Sequence, residues 1–275
     1  MKGILFLAHG CSHSGTDWWP KSSTCSSCTG LPVERSIVGA ALQRGFLTVA
    51  QSSHNRNHKC WSEPDLARVE KTLSWLEEQF SLAPSTPIHL LGASSGGNFV
   101  GRFAVKHSGS QQNGKLRVSS AVVQISPIQG VSPPAVPSSL GLLFVHMGRD
   151  EMTADFISRF VAEAGRSSVK EFIAKPLKLT PSFFHDHGAH LSLSDSASLV
   201  EALSKAGLVG KDGFLSADPR SSTWRDVAAK VLPATKDSLV ADASGVSELL
   251  NLAWAQHEIT DERLEEQLDF MKAYK

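Results

Sequence analysis

The chain has 275 residues, with 27 Lys plus Arg against 27 Asp plus Glu and a formal net charge of zero. Such a balance offers no basic surface for a nucleic-acid backbone, so no nucleic-acid partner is expected. No apolar run approaches the roughly 18 residues of a membrane span, so the chain is expected to be soluble, and its length fits one α/β core with an extension.

Apolar runs and helix-like stretches alternate over the first two hundred residues, which predicts a mostly parallel sheet with helices on both faces. The first strand, residues 4–8, follows Met1 and Lys2 closely, and this run is expected to be too short for a secretory signal with its cleavage site. Further strands are predicted at 46–51, 88–91, 121–125, 142–146 and 169–173. Between them, Ser62 with Pro64 and Asp65 opens a helix that runs to Phe80, with Leu66, Val69, Leu73, Leu76 and Phe80 on its core face. A segment at 98–106 reads as helix, and another helix at 155–164 is capped by Thr153 and stopped by Gly165. The polar 109–114 stretch reads as a surface loop, and the prolines of 132–137 rule out regular structure there. Beyond Gly207 the strand pattern stops, and helices are expected at 224–231, 247–256 and 261–273. The organisation expected is a core over 1–207 and a helical extension over 208–275 packed on it.

Cys11, Cys25, Cys28 and Cys60 all fall in the first quarter of the chain. They leave three options open: two disulfides, reduced structural thiols, or a zinc site built on Cys25-x-x-Cys28 with His13, His54 or His58. Disulfides would imply an oxidising, secretory compartment; reduced thiols, the cytoplasm or a plastid.

The chemical signal is Gly92-Ala93-Ser94-Ser95-Gly96 after an apolar strand and before a helix. A strand that ends in this tight turn carries the Ser94 hydroxyl outward, and small residues at 92 and 96 let strand and helix approach. The following helix points its positive end at the same place. A serine needs a base, usually a histidine oriented by a carboxylate, and the expected chain order is serine, acid, histidine. Asp150, just past the 142–146 strand, is the expected acid, with Glu151 beside it and a helix-capping role as its alternative. His185, His187 and His190 follow the last strand, and His187, next to Gly188, is the base this reading favours. The first strand ends in His9-Gly10-Cys11-Ser12-His13, where backbone N–H groups of Cys11 or Ser12, with that of Ser95, are expected to hold an oxyanion. His13, Asp17, Trp18 and Trp19 are expected to wall the pocket.

With these motifs in this order, the chain resembles the α/β-hydrolase superfamily over residues 4–206. The phrases Asp17-Trp18-Trp19-Pro20, Cys25-x-x-Cys28-x-Gly30-Leu31-Pro32, Cys60-Trp61-Ser62 and Asp218-Pro219-Arg220 are similar to a poorly characterised plant and algal group of that superfamily, which brings no known substrate. In that group Phe183-Phe184 is followed by Ser-Asp-Arg rather than His185-Asp186-His187, so the resemblance supplies no histidine, and His13 and His146 stand as alternative bases.

The expected function is a serine hydrolase acting on a small-molecule carboxylic ester or thioester through Ser94, His187 and Asp150, with no cofactor and no metal. The rival from another class is a binding protein that keeps the fold and uses the same pocket for a ligand or partner. A metal or redox site built from the four cysteines is the third reading.

Overall fold

A computed structural model describes residues 2–108, 117–232, 239–240 and 244–274. The expected loop at 109–114 lies outside them. Six strands form one sheet in the order β2-β1-β3-β4-β5-β6, every neighbouring pair parallel. They are β1 (Gly3–Ala8), β2 (Phe46–Gln51), β3 (Ile88–Ala93), β4 (Val118–Gln124), β5 (Gly141–Met147) and β6 (Val169–Ala174). The chain leaves β1 toward β2 on one side and returns to β3 on the other. The direction of winding therefore reverses between β1 and β3, whose C-terminal ends open a crevice there.

Alternate residues of the buried strands serve opposite faces. Ile4, Phe6 and Ala8 pack with α2 (Asp65–Gln79), α3 (Ser95–His107) and α4 (Glu151–Ala164). Leu5 and Leu7 belong to the opposite core, with α1 (Pro32–Gln43) and α6 (Leu193–Lys205). A short helix, α5 (Phe183–Asp186), precedes α6. That second core also contains the helices beyond residue 207: α7 (Trp224–Val231), α8 (Gly245–Trp254) and α9 (Leu264–Lys272). Leu249, Leu250, Leu268 and Met271 are fully buried in it. The tail is thus a wall of the molecule, covering a sheet face that would otherwise meet water.

Local signals explain the element ends. Asp65 accepts from the N–H and hydroxyl of Ser62 at 2.9 and 3.4 Å, tying down the entry to α2 as the sequence suggests. At α4 the cap is Asp150 rather than Thr153, whose N–H it receives at 3.4 Å, and Gly165 ends the helix in a left-handed conformation. The proline-rich stretch contains a short 3-10 turn at Pro133–Ala135, against the expectation of no regular structure. The cysteines pair as Cys11–Cys60 and Cys25–Cys28, and no cluster of metal-ligating side chains occurs among the described residues.

Because Leu268 sits in a core shared by tail and sheet, Leu268→Ala is expected to cost about 2–5 kcal/mol and to lower a single cooperative unfolding transition. Urea unfolding followed by both circular dichroism and tryptophan fluorescence checks this. A separate early transition at unchanged main midpoint would mean that the tail folds apart from the core.

Candidate active site

Ser94 stands between β3 and α3 with φ 53 and ψ −120, a conformation that non-glycine residues seldom adopt. Neighbouring glycines make the turn possible. A Cβ on Gly92 would lie 2.4 Å from the Gly96 carbonyl oxygen, and one on Gly96 would lie 2.5 Å from the carbonyl oxygens of both Ala8 and His9. Strand, helix and the end of β1 therefore meet at backbone contact. The Ser94 N–H is held by the Gln124 carbonyl at 2.9 Å, and the Asn98 N–H returns to the Ser94 carbonyl at 3.0 Å.

The imidazole beside Ser94 belongs to His257. Its Nε2 lies 3.1 Å from Ser94 Oγ and its Nδ1 lies 2.6 Å from Asp150 Oδ2. With Asp150 ionised, Nδ1–H donates to the carboxylate and Nε2 accepts from the hydroxyl. The other oxygen of Asp150, Oδ1, caps α4. The capping and acid roles weighed for Asp150 are therefore compatible, one oxygen each, and the cap fixes the carboxylate that faces His257.

The structure corrects the favoured histidine. His187 does not line the cavity at Ser94; its Nδ1 donates to the Phe183 carbonyl at 2.8 Å and its ring packs 4.3 Å from that of Phe183. The physical reason is local. Phe183 and Phe184 are buried, α5 forms over them, and the Ser196 hydroxyl on α6 receives the Phe184 N–H at 3.2 Å, so this segment is clipped to α6. His185 is likewise tied to the Leu191 carbonyl at 2.9 Å. The alternative bases fare no better: His146 is fully buried against Glu171 at 2.9 Å, and His13 pairs with Asp17 at 3.3 Å.

His257 escaped the sequence reading because it lies within the part treated as an extension. A signal was present: it is the only histidine after His190, so it too satisfies the order serine, acid, histidine. Its loop follows α8, which ends with Ala255 in the left-handed region. Gln124, fully buried at the end of β4, holds this loop through its side-chain amide. Its carbonyl oxygen accepts the Thr260 N–H at 2.8 Å, and its NH2 donates to the Thr260 carbonyl at 2.9 Å and to Gln267 Oε1 at 3.0 Å. Arg220 donates to the His257 carbonyl at 2.7 Å and to Glu258 at 3.2 Å. Arg149 reaches the Trp254 carbonyl at 2.5 Å while its guanidinium lies 3.6 Å from the centre of the Trp254 ring.

On the opposite wall, His9 shapes the loop after β1. Its Nδ1–H donates to the Gly10 carbonyl at 2.6 Å and its Nε2 accepts the Ser53 N–H at 3.0 Å. Burial pushes its pKa down to about 4, so the ring is neutral at ordinary pH, as the accepted N–H requires. Cys11 follows, bonded to Cys60, and Trp61 then donates to the His9 carbonyl at 2.9 Å and stacks on Phe99 at 4.6 Å. The Ser12 N–H is engaged by the His58 carbonyl at 3.0 Å. Of the two first-loop donors weighed, that of Ser12 is therefore already engaged.

The cavity over Ser94 has a volume of about 230 Å³ and is lined by Cys11, His13, Glu34, Arg220, His257 and Glu258 among others. Trp18 is not in its wall but fully buried in the core, Trp19 packs against that core, and Asp17 bonds to His13 without lining the cavity, which corrects the expectation for all three. Burial alone would pull the His13 ring down, but its bond with Asp17, with Glu34 and Glu258 nearby, raises its pKa to about 9. Burial raises Glu34 and Glu258, and holds Glu248 well above the usual carboxylate range, helped by the facing Glu34 carboxyl. The cavity is consequently polar, with the carboxyl groups of Glu34 and Glu258 and the cations of His13 and Arg220 in its lining.

No family model matches the chain, and no curated protein matches it by sequence. Among solved structures, a carboxylesterase from Mesorhizobium loti is similar at 17% identity and a TM-score of 0.44, over 64% of this chain and 79% of that one. The Pyrococcus furiosus esterase Pf2001 is similar at 13% identity and a TM-score of 0.42, over 62% and 73% of the two chains. A single-substitution variant of Arabidopsis thaliana SOBER1 is similar at 13% identity and a TM-score of 0.42, over 62% of this chain and 88% of that one.

Replacing Gln124 by Ala leaves the Thr260 backbone groups buried without partners and frees the His257 loop. Gln124→Ala is expected to raise hydrogen exchange at Thr260 by about tenfold or more. Unchanged exchange at Thr260 would show that the loop is held by other contacts. The parallel six-stranded sheet, the strand-to-helix turn at Ser94 and the acid following β5 make the architecture that of the α/β-hydrolase fold.

Proposed function

We propose that the protein is a serine hydrolase that cleaves carboxylic esters or thioesters of small molecules, with Ser94 as nucleophile, His257 as base and Asp150 as its orienting acid. The observation that carries this reading is the continuous pair of hydrogen bonds from Asp150 through His257 to Ser94, at 2.6 and 3.1 Å, on a turn that holds the serine in a strained backbone conformation.

As Ser94 Oγ attacks the carbonyl carbon, its proton passes to His257 Nε2, and the Asp150 carboxylate stabilises the imidazolium through Nδ1–H. Negative charge grows on the substrate oxygen toward the N–H groups of Cys11 and Ser95, at the N-terminus of α3, whose dipole favours it. His257 then gives its proton to the leaving alcohol or thiol, which departs and leaves an acyl group on Ser94. Water attacks the acyl group by the same proton path in reverse, releasing the acid and restoring the serine. The Cys11–Cys60 bond and the His9 hydrogen bonds support this reading because they fix the backbone from which the Cys11 N–H projects.

Hydrolysis of p-nitrophenyl acetate and longer p-nitrophenyl esters tests the proposal. Ser94→Ala and His257→Ala are each expected to lower kcat by about 10³-fold or more, and Asp150→Asn by at least about 10²-fold. His187→Ala is expected to stay within about twofold of wild type, since that ring packs on Phe183 and does not line the cavity at Ser94. Activity that survives loss of Ser94, or disappears with His187, would overturn the assignment. Absence of any Ser94-dependent turnover across ester lengths is the outcome of the binding-protein reading.

A further inference from the structure

Two histidine–carboxylate pairs stand at the cavity over Ser94, and the hydrolytic chemistry uses one of them. His257, backed by Asp150, reaches the serine hydroxyl. His13, backed by Asp17 at 3.3 Å, lines the same cavity without meeting Ser94 Oγ. Asp17 takes Nδ1 of that ring, so the nitrogen left for a ligand is Nε2, which has no hydrogen-bond partner among the described residues. The side chain keeps 17% of its surface exposed, so the ring is open to the cavity rather than sealed in the core.

The pair is built into the fold. Asp17 sits in the 3-10 turn Gly15–Trp18, where its carboxylate accepts the Ser14 N–H at 2.8 Å and the Ser14 hydroxyl at 3.3 Å. Trp18 beside it is fully buried, and the Leu31 N–H at the start of α1 donates to the Asp17 carbonyl at 2.8 Å. Gly10 sets the distance from ring to nucleophile: a Cβ built there would lie 3.8 Å from His13 Cδ2 and 3.7 Å from Ser94 Cβ. The width of one small side chain thus separates the Cδ2–Nε2 edge of His13 from Ser94, and part of a bound ester can occupy that gap.

Surrounding charges decide what Nε2 offers. Burial works against a charged ring, but the Asp17 bond, with Glu34 and Glu258 nearby, outweighs it and raises the pKa to about 9. At neutral pH both nitrogens therefore carry protons, and Nε2–H is a donor. The cations of the lining are already balanced, His13 by Asp17 and Arg220 by Glu258 at 3.2 Å. A carboxylate entering here finds no uncompensated positive charge and faces Glu258, while an ammonium meets a donor where it needs an acceptor. An alkyl chain strips water from the N–H and gives it no partner, which is costly. A neutral oxygen acceptor satisfies the donor without adding charge.

We propose that His13 is a specificity-determining residue whose Nε2–H donates to a neutral oxygen of the substrate, so that the preferred esters carry an ether, hydroxyl or carbonyl oxygen close to the scissile group, in the acyl or alcohol part. The subsite rests on the hydrolytic reading for the reaction it serves but not for the binding itself.

Isosteric ester pairs test this. Ethyl methoxyacetate with ethyl butanoate, ethyl 3-methoxypropanoate with ethyl pentanoate, and 2-methoxyethyl acetate with butyl acetate each exchange one CH2 for an oxygen. Hydrolysis is followed in a pH-stat at neutral pH, and each ratio of kcat/KM, ether over alkyl, is divided by the same ratio for hydroxide to remove intrinsic reactivity. For the pair that places its oxygen at Nε2, the corrected ratio is expected to reach about 10 or more in wild type and to fall to about one in His13→Phe. Only the ratio is read, so a general loss of turnover from a displaced loop cancels. Corrected ratios near or below one for every pair in wild type would overturn the proposal whether or not His13→Phe folds, and so would a preference that survives in His13→Phe.

Binding is measured separately, by calorimetric titration of the same esters into Ser94→Ala and into Ser94→Ala/His13→Phe. The single variant is expected to hold the favoured ether about tenfold more tightly than its alkyl partner, and the double variant to hold the two equally. That preference in Ser94→Ala, with no hydrolysis of any ester by wild type, supports the subsite and contradicts the hydrolytic reading. Ser94-dependent hydrolysis with no preference in either measurement does the reverse, so the two can fail separately.

Discussion

One buried glutamine joins the two halves of the candidate site. Gln124 closes β4, where its backbone carbonyl receives the N–H of Ser94, while its side-chain amide takes both the N–H and the carbonyl of Thr260. The residue is fully buried, so these bonds form away from competing water and leaving any of them unmade would be expensive. The serine turn and the loop carrying His257 are thus referenced to the same residue of the same strand. Burying α8 and α9 against the sheet is what brings Thr260 within reach of Gln124, so hydrophobic packing more than a hundred residues away in sequence sets a hydrogen-bond geometry of a few ångströms.

The other wall is fixed by different means. After β1 the chain turns through His9 and Gly10, and a Cβ on Gly96 would strike the carbonyls of that turn at 2.5 Å. Cys11 is bonded to Cys60, and the adjacent Trp61 grips the His9 carbonyl and stacks on Phe99 of α3. The backbone amide expected to meet an oxyanion is therefore held by a covalent link, a backbone contact and an aromatic stack. Above it, the carboxyl groups at Glu34 and Glu258 give the cavity a polar ceiling quite unlike an apolar acyl-binding tunnel.

Much of this was legible in the sequence, for identifiable reasons. The six strands were readable because parallel strands covered on both faces are continuous apolar runs, and 46–51 matches β2 to the residue. The turn at Ser94 was readable because its glycines are required by backbone contact, and Asp150 because an acid directly after a buried strand must emerge at the sheet edge. His257 was not, because its place depends on long-range packing of a helical segment whose sequence resembles any amphipathic tail. His187 looked better on spacing alone, but spacing did not reveal that Phe183 and Phe184 would anchor its segment to α6. The pairing of the cysteines was equally beyond sequence, since four allow three pairings and the local Cys25–Cys28 option leaves Cys11 and Cys60 unassigned until the fold places them together.

In the proposed mechanism His257, delivered by the tail, activates Ser94. Reaction with a fluorophosphonate probe, followed by mass mapping of the labelled peptide and by the labelling rate, reads that activation with no assumption about substrate. Labelling is predicted on the peptide containing Ser94, at a rate that falls by orders of magnitude in His257→Gln and is preserved in His187→Gln. Labelling of Ser94 that proceeds equally fast without His257 would show that this ring does not activate the serine.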